Sequence, residues 1–180
     1  MMEKKSYHHV DCQYYPLYVV VNMAIFVSVT RDAISIQKLL AEVADDSHGA
    51  LDFFIGAVRN VHEGKDVKGI TYDGHEMLIN KTLDDICREA ERMWPDTHYA
   101  VCHYLGDLPV GGISIAIAVS SAHRAESFDA CRYIIEAVKK RVPVWKQEHY
   151  TDGSSDWLPG HSLRKRAAPC CGHCGGSNHG

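Results

Sequence analysis

Two short stretches of this chain hold residue types and spacings that could do polar chemistry. In Ser121-Ala122-His123-Arg124, a His and an Arg stand where apolar residues at strand spacing give way to a helical pattern. Backbone N–H groups at a helix start favour anions, and a guanidinium adds a fork of donors suited to phosphate or carboxylate. The plainer alternative is that Ser121 caps the helix while His123 and Arg124 are solvated. In the second stretch, residues 139 to 146, Lys139, Lys140, Arg141 and Lys146 are interleaved with Val142, Pro143, Val144 and Trp145. Cations are favoured near a helix C-terminus, so a solvated helix end is the ordinary explanation. Lys139 fits it poorly. It lies four residues past Ile135, about 40° round a helix from it, and so borders the buried face. Partial desolvation there destabilises an ammonium, which suits a proton-transferring or nucleophilic lysine. Lys146 follows a proline and a large aromatic, and Val144 and Trp145 can pin the segment that aims it.

A third cluster sits at the end of the chain, where Cys170, Cys171, His173, Cys174 and His179 crowd a Gly-rich tail. Soft ligands at that density could bind zinc, but a closed structural site pairs ligands from two separated knuckles, and this tail offers nothing to pack. No ligand cluster is legible within the body of the chain.

The elements that must position these residues follow from periodicity. Met23 to Thr30 reads as a strand with Ile25, Val27 and Val29 on one face, and Ile36, Leu39, Leu40 and Val43 mark one face of a helix. Asp45-Asp46-Ser47-His48-Gly49 breaks that helix. Ala50 to Arg59 alternates as a strand, and polar Asn60 to Lys68 predicts a mobile loop with Arg59 at its stem. A short strand is expected at Gly69 to Asp73. Glu76 to Trp94 carries Leu83, Ile86, Cys87, Ala90 and Trp94 at helical spacing and stops at Pro95. Thr97 to Tyr104 and Ile113 to Ser120 predict two strands joined by a turn in Leu105 to Gly112. Arg124 to Arg141 predicts a helix with Phe128, Cys131, Ile135 and Val138 inward. The order β-α-β-β-α-β-β-α implies an α+β fold, helices packed on a mostly antiparallel sheet.

The strings FFIGAVRN (53 to 60), VSSAHRAESFDAC (119 to 131) and VKKRVPVWKQE (138 to 148), in this order and spacing, resemble the catalytic large subunit of molybdopterin synthase, the MoaE family. The resemblance spans residues 24 to 158. It implies an α/β hammerhead-like fold with an added small antiparallel sheet. It also implies a sulfurtransferase of molybdenum cofactor biosynthesis, which converts cyclic pyranopterin monophosphate (precursor Z) to dithiolene-bearing molybdopterin. Both sulfurs would come from the thiocarboxylated C-terminal Gly-Gly of a small ubiquitin-like sulfur-carrier subunit (MoaD-like). On the matching positions, the resemblance implies catalytic lysines at Lys139 and Lys146, and phosphate and pterin contacts at Arg59, His123 and Arg124. It places the remaining substrate contacts at Gln147 and Glu148. It implies no cofactor and no metal at this step, and a homodimer core within a heterotetramer. Tyr104, in His103-Tyr104-Leu105-Gly106, replaces an Arg common in the family, and Gly74-His75 replaces larger apolar residues. A member that only docks the carrier is disfavoured because both lysines are present.

The composition bounds these readings. At 180 residues, 46% hydrophobic and 23% charged, the chain has the make-up of an ordinary globular protein with one core. A net charge of -4 excludes a general nucleic-acid or anionic-membrane binder, so any basic site is local. Seven cysteines, an odd number, four of them (Cys12, Cys87, Cys102 and Cys131) scattered without framework spacing, suggest reduced thiols and a cytoplasmic location. The apolar run Leu17 to Val29 is too short to span a bilayer and lacks a small-x-small cleavage site. Residues 1 to 22 are expected to be an N-terminal extension, 23 to 158 the catalytic domain, and 159 to 180 a flexible Cys/His/Gly-rich tail.

Overall fold

The structure is a computed structural model that describes residues 24 to 158. The expected N-terminal extension and the Cys/His/Gly-rich tail lie outside the described residues. Nine strands and three helices follow in the order β1 (Ile25–Thr30), α1 (Ile36–Glu42), β2 (Ala50–Ala57), β3 (Val61–His62), β4 (Lys65–Gly74), α2 (Glu76–Met93), β5 (Thr97–Tyr104), β6 (Gly106–Pro109), β7 (Ile113–Ser121), α3 (Arg124–Arg141), β8 (Val144–Tyr150) and β9 (Ser155–Leu158).

Period-2 alternation in β5 and β7 sets the first sheet. Tyr99, Val101, Ile115, Ile117 and Val119 face one side, where they meet Leu83, Ile86 and Cys87 of α2 and Ile134, Ile135 and Val138 of α3. The intervening Ala100, Cys102, Ala116 and Ala118 face the other side, where small side chains let Leu39 and Val43 approach closely. Strand order is β1-β5-β7-β2, with β1 parallel to β5 and the other pairs antiparallel. The second sheet is β3-β4-β8-β9, with β6 also paired to β4. The molecule is therefore α+β with a mostly antiparallel main sheet and a further antiparallel sheet, as the sequence implied.

Three expectations fail locally. The loop foreseen at residues 60 to 68 is a β-hairpin: Glu63 (φ 48°) and Gly64 (φ 80°) form the two-residue turn between β3 and β4, with both residues at positive φ as a type I′ connection requires. The connection from 105 to 112 contains β6, which leaves the main sheet to pair with β4. Phe128 is exposed rather than inward. The buried arc of α3 is centred on Ser127, Ala130, Ile134 and Val138, and Phe128 falls at its margin, about 20° from Lys139. Strands β8 and β9 were not foreseen.

Among the described residues no helix is long and apolar enough to cross a membrane. Cys87, Cys102 and Cys131 are free thiols.

Candidate active site

The two sheets diverge beside the C-terminal half of α3, and the space between them is a cavity of about 500 Å³. Helix α3 ends because Pro143 cannot continue it: Val142 already has extended backbone (φ -73°, ψ 123°). The chain turns into β8, which runs antiparallel to β4 with Tyr72 opposite Lys146 and Ile70 opposite Glu148. Alternation along β8 then sends Lys146, Glu148 and Tyr150 to one face, and Trp145, Gln147 and His149 to the other.

The inward face of β8 carries the most heavily buried charge of the site. Glu148 is 2% exposed. Its Oε1 lies 3.5 Å from Lys146 Nζ and 3.3 Å from His62 Nδ1, and the Tyr150 hydroxyl donates to Oε2 at 3.3 Å. Three neighbours thus share one carboxylate, as a buried charge requires. Lys139 reaches the cavity from the last turns of α3, with Nζ 6.0 Å from the centre of the Phe54 ring. That is a loose cation–π distance. In the single chain Lys139 is exposed. The partial desolvation inferred from its helix position is therefore not supplied by this subunit alone. Arg59, just past β2, is an exposed side chain at the rim.

The rest of the lining includes residues that the sequence reading passed over. The His103 ring is buried, and Nδ1 lies 2.8 Å from the Tyr104 carbonyl. A carbonyl only accepts, so Nδ1 carries the proton and Nε2 keeps its lone pair. Burial holds the His103 pKa below its ordinary value, so the ring is neutral at pH 7. Tyr72 packs edge-on to it at 5.7 Å. Burial pushes the Tyr72 hydroxyl pKa up, against the opposing effect of a hydrogen bond with Ser114. His62 was assigned to a loop; the Glu63-Gly64 turn, which holds it inward, was the signal available for it. The cavity is lined by four cationic side chains, Arg59, Lys139, Lys140 and Lys146, and by one carboxylate, Glu148, in a chain whose net charge is -4. The charged side chains lining the cavity are thus net positive in a net-negative chain, which favours an anionic ligand.

Of the residues singled out from sequence, the structure brings Arg59, Lys139, Lys146 and Glu148 together. Gln147 turns away, and its amide donates to Ser155 Oγ across the β8–β9 pair at 3.1 Å. His123 and Arg124 are exposed at the start of α3, about 22 Å of helix from Lys139. Ser121 does not cap that helix: His123 is the N-cap residue, and the Ser121 hydroxyl donates to its carbonyl at 2.6 Å.

A cation-rimmed cavity of this size, between a helix end and an added sheet, defines a receptor for an anionic small molecule or chain end. The family model described as MoaE protein matches residues 29–141. The molybdopterin synthase catalytic subunit of Synechococcus elongatus is 45% identical over 120 residues, covering 66% of this chain and 73% of that protein. Its counterpart from Bos taurus is 40% identical over 131 residues, covering 73% and 69%. The crystal structure of molybdopterin synthase from Staphylococcus aureus superposes with a TM-score of 0.71 at 30% identity, covering 73% of this chain and 96% of that one. The chain belongs to the MoaE family, the catalytic subunits of molybdopterin synthase, and is an enzyme of molybdenum cofactor biosynthesis.

Proposed function

We propose that the cavity between α3 and β8 is where sulfur passes from the thiocarboxylated C-terminus of a small ubiquitin-like carrier subunit to cyclic pyranopterin monophosphate, building the dithiolene of molybdopterin. The observation that carries this reading is the convergence of Lys139, Lys146 and Arg59 on one cavity from three separate elements. Thiocarboxylate and phosphate are both anions, and an acyl-thioester intermediate develops negative charge on its carbonyl oxygen as water adds to the carbonyl carbon, before that charge collapses to expel the thiolate. Preorganised cations stabilise all three. Lys139, on the open side and in no ion pair among the described residues, is assigned the reacting role. Lys146, anchored by Glu148, is assigned to hold the substrate; Arg59 is placed to meet the phosphate from the rim.

The exposure of Lys139 supports a site that is closed by other chains. A glycine-rich tail entering beside it would exclude water without needing side-chain room. His123 and Arg124 lie too far along α3 to reach a small pterin held at Lys139. A second copy related by two-fold symmetry would bring them to the site, giving two equivalent pockets in a heterotetramer. In this reading residues 23 to 158 are the catalytic domain, residues 1 to 22 and 159 to 180 are dispensable for turnover, and the free thiols of Cys87, Cys102 and Cys131 support a reducing, cytoplasmic setting.

The test is incubation of the full chain with thiocarboxylated carrier and precursor Z, followed by mass spectrometry for the dithiolene product. Lys139→Ala should abolish the product. Lys139→Arg should fail as well, because a guanidinium does not readily release a proton. Both variants should fold, since an exposed side chain contributes within about 0.5 kcal/mol. Near-native turnover by either removes Lys139 from the reacting role.

A further inference from the structure

On the other side of the main sheet, away from the cavity, Asp45, His48 and His98 bring three ligand atoms within 4.8 Å of one another. Asp45 and His48 belong to the segment that follows α1, and His98 lies on β5, so a residue from 50 positions along the chain closes the group. We propose that these three side chains form a binding site for a borderline divalent metal ion of the zinc type, clipping the α1–β2 connection to the sheet.

The hydrogen bonds around the group point to this use. The Ser120 hydroxyl lies 2.5 Å from the Val43 carbonyl and 2.8 Å from His48 Nδ1. The carbonyl only accepts, so the single hydroxyl proton goes to Val43 and Ser120 Oγ must accept from His48 Nδ1–H. His48 is thereby held as the tautomer whose Nε2 lone pair is available. Metal-binding histidines are commonly oriented by such an outer partner on the other ring nitrogen. The second imidazole is aligned by the sheet, because His98 is the cross-strand partner of Ser120. The two rings are 4.7 Å apart, centre to centre. His98 Nε2 faces Asp45 Oδ2 at 3.9 Å. Asp45 Oδ1 accepts from the Ser47 amide at 2.8 Å and the Ser47 hydroxyl at 2.5 Å, which orients the carboxylate with Oδ2 towards His98.

Two imidazole nitrogens and one carboxylate oxygen are a borderline-soft N,N,O set, which suits zinc or cobalt over calcium or magnesium. Tetrahedral bonds of about 2.0–2.1 Å place ligand atoms about 3.3 Å apart. The Asp45–His98 pair must close by roughly half an ångström and the widest pair by about 1.5 Å, within reach of torsions in the half-exposed Asp45 and His48. Water completes the fourth position.

The experiment uses the full chain with Cys170→Ser, Cys171→Ser, Cys174→Ser, His173→Ala and His179→Ala, which silence the tail as a competing site. This protein is titrated with Co²⁺ and Zn²⁺, read by cobalt absorption and by the rise in melting temperature that accompanies binding to the folded state. The expected result is one equivalent of Co²⁺ with ligand-field bands and no thiolate charge transfer. Asp45→Asn and His48→Gln, which preserve shape, should each weaken binding at least tenfold, and Ser120→Ala should weaken it about tenfold through the tautomer. Absence of cobalt binding, or unchanged affinity in Asp45→Asn and His48→Gln variants whose apo melting matches the parent, overturns the site.

Discussion

Glu148 offers the sharpest test of how the cavity works. Its Oε1 stands 3.5 Å from Lys146 Nζ, a separation worth about 5 kcal/mol of attraction at an effective dielectric constant of 20. Lys146 keeps 28% of its side chain in solvent, and the carboxylate has lost its own hydration, so the net loss on removing the charge is nearer 1–2 kcal/mol. Glu148→Gln preserves the volume and one acceptor oxygen, which lets the Tyr150 hydroxyl keep its bond. It removes the charge that fixes the ammonium and changes the charged side chains lining the cavity from a net +3 to +4. A more positive cavity should hold the anionic substrate at least as tightly, while a wandering ammonium should misplace it. Misplacement of about 1 Å can cost about a hundredfold in rate. The expected signature is therefore a fall in kcat of about a hundredfold, with KM for precursor Z unchanged or lower, in a protein only about 1–2 kcal/mol less stable. Steady-state dithiolene formation and urea unfolding of the same preparation separate the two effects. A Glu148→Gln enzyme with native kcat would show that the carboxylate does not position Lys146. A raised KM with native kcat would assign it to ground-state binding instead.

Other perturbations address different parts of the structure. A Cβ at Gly74 would stand 2.8 Å from the Pro143 carbonyl and 2.7 Å from Ile79 Cδ1, so Gly74→Ala should cost about 1–3 kcal/mol in urea unfolding. It should also impair turnover by displacing the start of β8; a native-like Gly74→Ala would refute the tight approach. Glu89 on α2 is bound through both oxygens by Arg141 of α3 and accepts from the Tyr133 hydroxyl, which brings its pKa down from 4.5 to about 2. A depressed carboxyl stabilises the fold above pH 4.5 and loses that contribution as pH falls towards 2. Both partners are more than a third exposed, so Glu89→Ala should cost about 1 kcal/mol at pH 7 by urea unfolding. That cost should shrink between pH 4.5 and 2; a gap independent of pH would discount the ion pair. Mixing Arg124→Ala chains with Lys139→Ala chains should restore activity in about a quarter of the sites if pockets are shared across a two-fold dimer. Proven subunit exchange with no recovery would place each site within one chain.

Much of the scaffold was legible in the sequence because its elements are locally periodic. The stripes of α2 and the alternation of β5 and β7 are set by geometry within a few residues, and the strings around Arg59, His123 and Lys139 carried the family resemblance. What failed depended on partners remote in the chain. Residues 144 to 150 read as a charged segment after a helix, since Lys, Gln, Glu and His interrupt any apolar alternation; they are a strand because β4, more than seventy residues earlier, offers an edge to pair with. That pairing buries Glu148, turns Gln147 away and makes His62 part of a wall. Phe128 lies outward because packing against α2 and the sheet, rather than the helix's own hydrophobicity, chose the centre of its buried arc. The grouping of Asp45, His48 and His98 depends on the fold, for it is Ser120, opposite His98 in the sheet, that binds Val43 and His48 of the α1–β2 connection. Local periodicity determined the helices and the strands of the main sheet; long-range hydrogen bonds between strands made the second sheet and decided which side chains share a cavity.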